Sequence, residues 1–584
     1  MGIRELFKHW TYQVFAPGTL LRKRYNAFRE LLRLDESCLE LIADIEEVHH
    51  GAEPVDPAHV QWLIARLSRQ VRLLVGQLMT MSPTRYLSLP EYSNKIDFYI
   101  QLGLDMDQPS LGPPYVIPLD DCAEQPELAG GKAANLALAR ARTDLPIPDG
   151  FVVTANCFNY FVESGELREQ LDRRLRHATP RRPEELDRLC AEMRELVLGA
   201  DVPWEIAKDI QTAAARLGAG GLRLAVRSSA VSEDGNAVRG GRSFAGQYAS
   251  VLDVAAEDIL TAYKHVLAGK YTPRAMTYRI LSGLADTQTP MAVLVLPMVD
   301  ARAAGVAYSL DPAQDAPAVG VHAVAGLGTG LVEGRAQPQT TRLSRDALPR
   351  VLENPDTDAA PLLGAEQAKA LARMALELEN VFAAPQDVEW ALDAAGLHIL
   401  QCRPVAGGGE DDAPPLPELP PEPDCGRVLA DGLTRCAAGA ATGTLYRMRH
   451  EADLDRMPQG AVVAAPALTP GLARCLGRAG GVVAASGSRA SHFASVAREF
   501  GLPVAAGPLD LDALPEGETA TLWADAGVLC LGGTPADTTQ AEGTRGPNPA
   551  SARFAPVMDR ITRLTLTDPE ADNFSPEGCR SLHD

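Results

Sequence analysis

The interval from Val405 to Cys425 decides how this chain of 584 residues can fold. It reads VAGGGEDDAPPLPELPPEPDC, with six prolines between Pro414 and Pro423. Proline lacks a backbone donor and has a fixed φ, so this run cannot enter a helix or a central strand. A semi-rigid extended spacer is expected, about 3.1 Å per residue and able to reach about 60 Å. The residues on its two sides must therefore bury cores of their own. At roughly 150 residues per domain, the length itself suggests three or four domains.

Residues 1–112 read as helical. From Tyr25 to His49, Phe28, Leu31, Leu32, Leu39, Ile42 and Ile45 recur at three-, four- and seven-residue spacings. A second helix is expected from Pro57 through Trp62, Leu63, Leu67, Val71, Leu74 and Leu78. These stripes predict a helical bundle. Residues 113–404 alternate short β-type runs with Ala/Leu-rich helices, as an α/β or α+β domain does. Residues 426–534 carry the strand candidates AVVAAPA, GVVAAS and TATLWA, and predict a further α/β domain. The low-complexity run after Gly533 predicts a disordered tail over 535–584. The fold class expected is α/β multidomain with a helical N-terminal domain.

The balance of 55 Lys+Arg against 76 Asp+Glu gives a net charge of −21. Such a field repels nucleic acid and anionic membrane, so neither is expected as a partner. A local basic pocket can still take a nucleotide. The ten cysteines show no zinc spacing, and Cys157, Cys190, Cys402 and Cys530 sit in apolar patterns as reduced thiols would. The first residues lack a signal-peptide core, and no run approaches about 20 apolar residues. A soluble cytoplasmic protein is expected.

Three stretches carry phosphate or metal chemistry. GGKAANLALARA places Gly130, Gly131 and Lys132 ahead of a helix, where glycines admit a phosphate and the lysine neutralises it. It is not G-x-x-x-x-G-K-[ST], and taken alone it reads as an ordinary turn. In LRLAVRSSAVSEDGNAVRGGRSFAGQY, a strand delivers Arg227, whose rigid fork suits phosphate oxygens. The following run with Gly235, Gly240, Gly241 and Gly246 reads as a lid or as an exposed hairpin loop. In DVEWALDAAGLHILQCRP, a three-residue turn ending at Gly396 pairs Asp393 with Leu397, Glu389 with Gln401 and Asp387 with Arg403. Asp387, Glu389, Gln401 and Arg403 then share one face, and Trp390, Leu392, His398 and Leu400 the other. The polar face reads as a Mg²⁺–phosphate site or as a surface ion-pair ladder.

Among eleven histidines, His492 stands apart. In SGSRASHFASVAREFGLPVAAG, Ser491 can cap a helix whose apolar positions include Phe493, Val496, Ala497 and Phe500. His492 then lies in the first turn, where the helix dipole disfavours imidazolium and favours an attached phosphoryl group.

Taken in order, these stretches resemble the phosphoenolpyruvate synthase / pyruvate phosphate dikinase family over roughly residues 116–534. PIPDGFVVT, MAVLVLPMV, GVAYSLDP and AGLGTGLVEG add to the resemblance. It implies an α+β ATP-grasp domain (113–404), the spacer 405–425, and a swivelling α/β phosphohistidine domain (426–534). Lys132, Arg227, Glu389, Gln401 and Arg403 would bind ATP, Glu389 and Gln401 would hold Mg²⁺, and His492 would be the catalytic nucleophile. The family reaction implies phosphotransfer from ATP to the histidine, with release of AMP and phosphate, then to pyruvate or another small acceptor. Leu296 and Thr329 depart from a family glutamine and glutamate, and Ala490 from a threonine that is phosphorylated in some members. The residues after Gly533 are too few for the family's acceptor-binding barrel of about 250 residues. An acceptor site on a separate subunit or on the N-terminal helices is therefore expected. The alternative is a non-catalytic nucleotide-binding regulatory or scaffolding paralogue.

Overall fold

The computed structural model describes residues 17–51, 53–104, 109–231, 248, 250–311, 317–332, 338–353, 360–405, 426–487, 489, 491–532 and 549–584. The glycine-rich run with Gly235, Gly240, Gly241 and Gly246, the spacer from 406 to 425, Ala490, and residues 535–548 of the expected tail lie outside them.

Helices α1 (Pro17–His50), α2 (Pro57–Met81) and α3 (Leu89–Leu104) form the N-terminal bundle. Pro57 at the first turn and the Asp56 carboxylate, which accepts from the Ala58 amide at 2.9 Å, start α2. The expected stripe on α1 is only partly the buried one. Ile42 and Ile45 are buried with Ala27, Leu34, Cys38 and Leu41, whereas Phe28, Leu32 and Leu39 are 44%, 51% and 49% exposed. The helix carries two apolar stripes, and α2 covers the one whose small Ala27 and Cys38 permit close approach.

Strands β1 (Val116–Pro118), β2 (Phe151–Val153), β3 (Leu224–Ala230), β4 (Ser250–Val254) and β5 (Met291–Pro297) form an antiparallel sheet ordered β1-β2-β5-β3-β4. Period-two alternation divides it between two cores. Met291, Val293 and Val295 of β5 join one core, and Ala292, Leu294 and Leu296 the other, beside helix α4 (Gly131–Arg142). Arg227 lies opposite Leu294 and is carried on that second face.

Strands β6 (Ala303–Tyr308), β7 (Val319–Ala325), β8 (Gln339–Leu343), β9 (Val351–Glu353), β10 (Gln386–Leu392) and β11 (Leu397–Pro404) form a second antiparallel sheet, ordered β11-β10-β6-β7-β8-β9. Helix α6 (Ala365–Phe382) packs on it through Ala368, Leu371, Ala372, Ala375 and Leu378. Between β4 and β5 in sequence lies helix α5 (Pro273–Leu281), which carries the buried Arg279.

The third sheet holds β12 (Arg427–Ala430), β13 (Thr434–Ala437), β14 (Ala440–Arg447), β15 (Val462–Ala465), β16 (Gly481–Ala484), β17 (Val504–Ala506), β18 (Thr519–Trp523) and β19 (Val528–Leu531). Its order is β12-β19-β18-β14-β15-β16-β17-β13, with β14 to β17 parallel. Buried Val462–Ala465 and Gly481–Ala484 read as the continuous apolar runs that a sheet covered on both faces requires. This unit docks on the first one. Arg474 reaches Asp187 at 2.6 Å, and the Tyr278 hydroxyl on α5 donates to Glu499 at 2.5 Å.

The tail departs from the expectation of disorder. Residues Pro549–Ile561 form helix α8, and Phe554, Val557, Met558 and Ile561 join the core of the N-terminal bundle together with Leu582. Their spacing of three, one and three residues is amphipathic, and the polar run ahead of them conceals it. Cys157, Cys190 and Cys402 are free and buried as expected, and burial pushes the Cys157 thiol up to about 12. Cys530 differs: it is disulfide-bonded, with its partner outside the described residues. No helix among the described residues is long and apolar enough to cross a membrane.

A candidate phosphate and cation site between two sheets

The turn before α4 is stapled to β3. Gly130 has a φ of 75°, and a Cβ there would sit 1.7 Å from the Ser229 carbonyl oxygen, so only glycine fits. The Ser229 hydroxyl donates to the Ala129 carbonyl at 2.8 Å and accepts from the Ala133 amide at 3.0 Å. This places buried Lys132 in the first turn of α4, with its Nζ 3.3 Å from the Ser228 hydroxyl. Replacing Gly130 with alanine should destabilise the fold by about 1–3 kcal/mol, as a denaturation series would register.

Arg227 crosses from the first sheet to the second. Its Nη2 donates to Glu389 Oε2 at 2.5 Å and to Gln401 Oε1 at 3.2 Å, and its Nη1 to the Leu400 carbonyl at 3.2 Å. Burial would raise the Glu389 carboxyl. The charge and hydrogen bond of Arg227, with Lys132 and Arg403 behind it, hold it down at about 2 instead. Beside this group, Arg403 grips Asp387 Oδ2 through Nε at 2.8 Å and Nη2 at 2.7 Å.

The expected cross-strand pairs Glu389–Gln401 and Asp387–Arg403 are present, but the turn that leads to them is not the expected one. Leu392, rather than Asp393, lies opposite Leu397, and a register shift between Glu389 and Trp390 restores the pairing further along. Leu400 is the extra residue, so Ile399, in place of His398 and Leu400, joins Trp390 and Leu392 in the core. The bulge bends the strand locally and leaves the Leu400 carbonyl to Arg227. Asp393 stays in the turn and accepts from the Ala395 and Gly396 amides at 2.8 and 3.0 Å.

All five residues expected to bind nucleotide thus lie on facing elements. With Asp387 and Glu389 set against Lys132, Arg227 and Arg403, the group keeps one positive charge over. Glu389 and Gln401 turn an ionised carboxylate and an amide oxygen toward one guanidinium nitrogen, which takes the place of a cation between them. That donor set fits a hard divalent metal sharing phosphate oxygens. Sequence spacing gave no sign of the clamping role of Ser228 and Ser229, nor of Tyr308. Tyr308 lies opposite Asp387, and burial and that carboxylate push its hydroxyl well above 10.

Helix α7 (His492–Glu499) begins at the expected histidine. The Ser491 hydroxyl accepts from the Ala494 amide at 3.2 Å, and Phe493, Val496 and Ala497 are buried. The side chain of His492 lies outside the described residues. On the same helix, Arg498 donates to the Cys436 and Arg489 carbonyls at 2.9 Å. Of the family departures, Leu296 is buried in the core and exposed Thr329 opens a short helix.

Residues 126–359 and 350–419 match the pyruvate phosphate dikinase AMP/ATP-binding domain. Residues 457–527 match the mobile domain of PEP-utilising enzymes. The chain is 28% identical over 433 residues to a probable phosphoenolpyruvate synthase of Archaeoglobus fulgidus, covering 69% of this chain and 56% of that one. It is 27% identical over 485 residues to a probable phosphoenolpyruvate synthase of Methanothermobacter thermautotrophicus, covering 78% and 67%. With the phosphoenolpyruvate synthase of Aeropyrum pernix, identity is 28% over 509 residues, covering 75% and 60%. The chain spans 56%, 67% and 60% of the lengths of these three relatives. Two matched domains in family order, the first covering half of the chain, place this protein in the phosphoenolpyruvate synthase / pyruvate phosphate dikinase family.

Proposed function

We propose that the chain is an ATP-dependent dikinase-type phosphotransferase. It charges His492 from ATP and passes the phosphoryl group to pyruvate or another small acceptor held elsewhere, on a partner subunit or beside the N-terminal helices. Lys132, Arg227 and Arg403 bind the phosphates, because phosphoryl transfer needs positioning and charge neutralisation more than covalent chemistry. Glu389 and Gln401 would hold Mg²⁺, which supplies further neutralisation of phosphate charge.

A nitrogen of His492 attacks the β-phosphorus. The new P–N bond forms as the bond from that phosphorus to the α-bridging oxygen breaks, and AMP leaves with the oxygen. Water then releases the terminal group as phosphate, leaving phosphohistidine. The observation that carries the reading is the geometry of the site: Arg227 reaches Glu389 at 2.5 Å and Gln401 at 3.2 Å, beside buried Lys132 and the Asp387–Arg403 pair.

The test is incubation with ATP and Mg²⁺. AMP, phosphate and acid-labile phosphate on His492 are expected. Nucleotide-induced thermal stabilisation with no AMP formed, even with candidate acceptors present, would instead establish the non-catalytic reading. Glu389→Gln removes the carboxylate but keeps its shape. It should raise the Mg²⁺ concentration needed for half-maximal AMP formation at least about tenfold, read from a metal titration at fixed ATP.

A further inference from the structure

The apolar stripe that α2 leaves uncovered on α1 is long and regular. Leu21, Tyr25, Phe28, Leu32 and Leu39 are 71%, 59%, 44%, 51% and 49% exposed. Their steps of four, three, four and seven residues are those of a coiled-coil seam, with exposed Asp35 filling the one polar position. The seam runs about 27 Å along the helix.

Charge says what covers it. The first half of α1 carries Arg22, Lys23, Arg24, Arg29 and Arg33 against Glu30 alone. The second half carries Asp35, Glu36, Glu40, Asp44, Glu46 and Glu47 with no lysine or arginine. This order opposes the helix dipole, which favours acids at the start and bases at the end. The arginines of α2 do not answer it either. Arg72 pairs with Asp97 of α3 at 2.7 Å, and Arg66 stacks on Trp62. Among the described residues, Asp35, Glu36 and Glu40 form no ion pair.

We propose that this stripe is the interface with a second copy of the chain, the two α1 helices running antiparallel about a two-fold axis at Glu30. In that register each position i faces position 60 − i of the copy. Leu21 then meets Leu39, Phe28 meets Leu32, and the Tyr25 hydroxyl meets the Asp35 carboxylate. Arg22, flanking the seam, lies between Glu36 and Glu40 of the copy, twice by symmetry. The basic half of each helix covers the acidic half of the other, which a parallel pair would forbid. An isologous contact of this kind closes at a dimer.

Sedimentation of the full chain at about 10 μM is expected to give twice the chain mass of 62.3 kDa. Phe28→Glu with Leu32→Glu should give a monomer whose unfolding temperature below the association limit is unchanged, since both side chains already face solvent. Arg22→Glu should raise the dissociation constant at least about tenfold, and adding Glu36→Arg to it should recover most of the loss. A wild-type monomer overturns the proposal, as does a dimer that survives the double glutamate variant or a charge swap that fails to rescue. A monomer that self-associates only after removal of residues 1–16 also overturns it, and assigns the stripe to that segment.

Discussion

Supplied with ATP and Mg²⁺, the His492→Asn chain should form AMP at least about 10⁴-fold more slowly than the wild type and carry no acid-labile phosphate. A factor of 10⁴ corresponds to about 5.4 kcal/mol of barrier. Asparagine can still cap or occupy a helix start, so α7, nucleated by the Ser491–Ala494 bond and anchored by Phe493, Val496 and Ala497, should remain folded. ATP binding is expected to survive, because the side chains proposed to bind phosphate come from α4, β3, β10 and β11. Nucleotide-induced thermal stabilisation checks that point and separates loss of the nucleophile from loss of the fold. Persistence of the phosphoprotein in the variant would move the acceptor residue elsewhere and defeat the assignment.

The second large effect is on stability. Arg279 of α5 is 1% exposed, and its Nη2 donates to Asp56 Oδ2 at 2.5 Å, while Asp56 also caps α2. Close by, buried Asp286 takes Lys270 at 2.9 Å and Arg168 at 2.8 Å. Burial opposes its ionised form, but Lys270, Arg168 and Arg279 hold its carboxyl well below the usual range. Arg279→Met should cost about 3–5 kcal/mol, because it strands the Asp56 carboxylate in a dry site. The variant's penalty should shrink as pH falls toward 4, where the stranded carboxyl takes up a proton. Asp56→Asn combined with Arg279→Met should recover part of the loss. Urea denaturation at pH 7 and pH 5 reads all three, and a loss under 1 kcal/mol at pH 7 would contradict the account. α5 also holds Glu499 through Tyr278, so the same substitution should loosen the docking of the unit that carries α7.

Much of this was legible from spacing. Alternation along a strand put Glu389 and Gln401 on one face, and the serine before His492 marked a helix start, because both follow from backbone geometry within a few residues. The turn at Ala394–Gly396 led to the right pairs through the wrong register, since a bulge at Leu400 answers to Arg227, which lies 173 residues away. The tail was misread because the apolar spacing of Phe554, Val557, Met558 and Ile561 only acquires meaning once a bundle from the other end of the chain exists to cover it.

By itself, then, the order of residues determined which charged and amide side chains share a strand face, the strands that carry them and the place of the histidine, because each is a local periodicity. Only the tertiary structure decided which of the two stripes on α1 is buried, which ion pairs bind distant elements, and where the C-terminal helix lies. Those outcomes depend on a partner surface far along the chain, and burial free energy selects among faces that local pattern leaves equivalent.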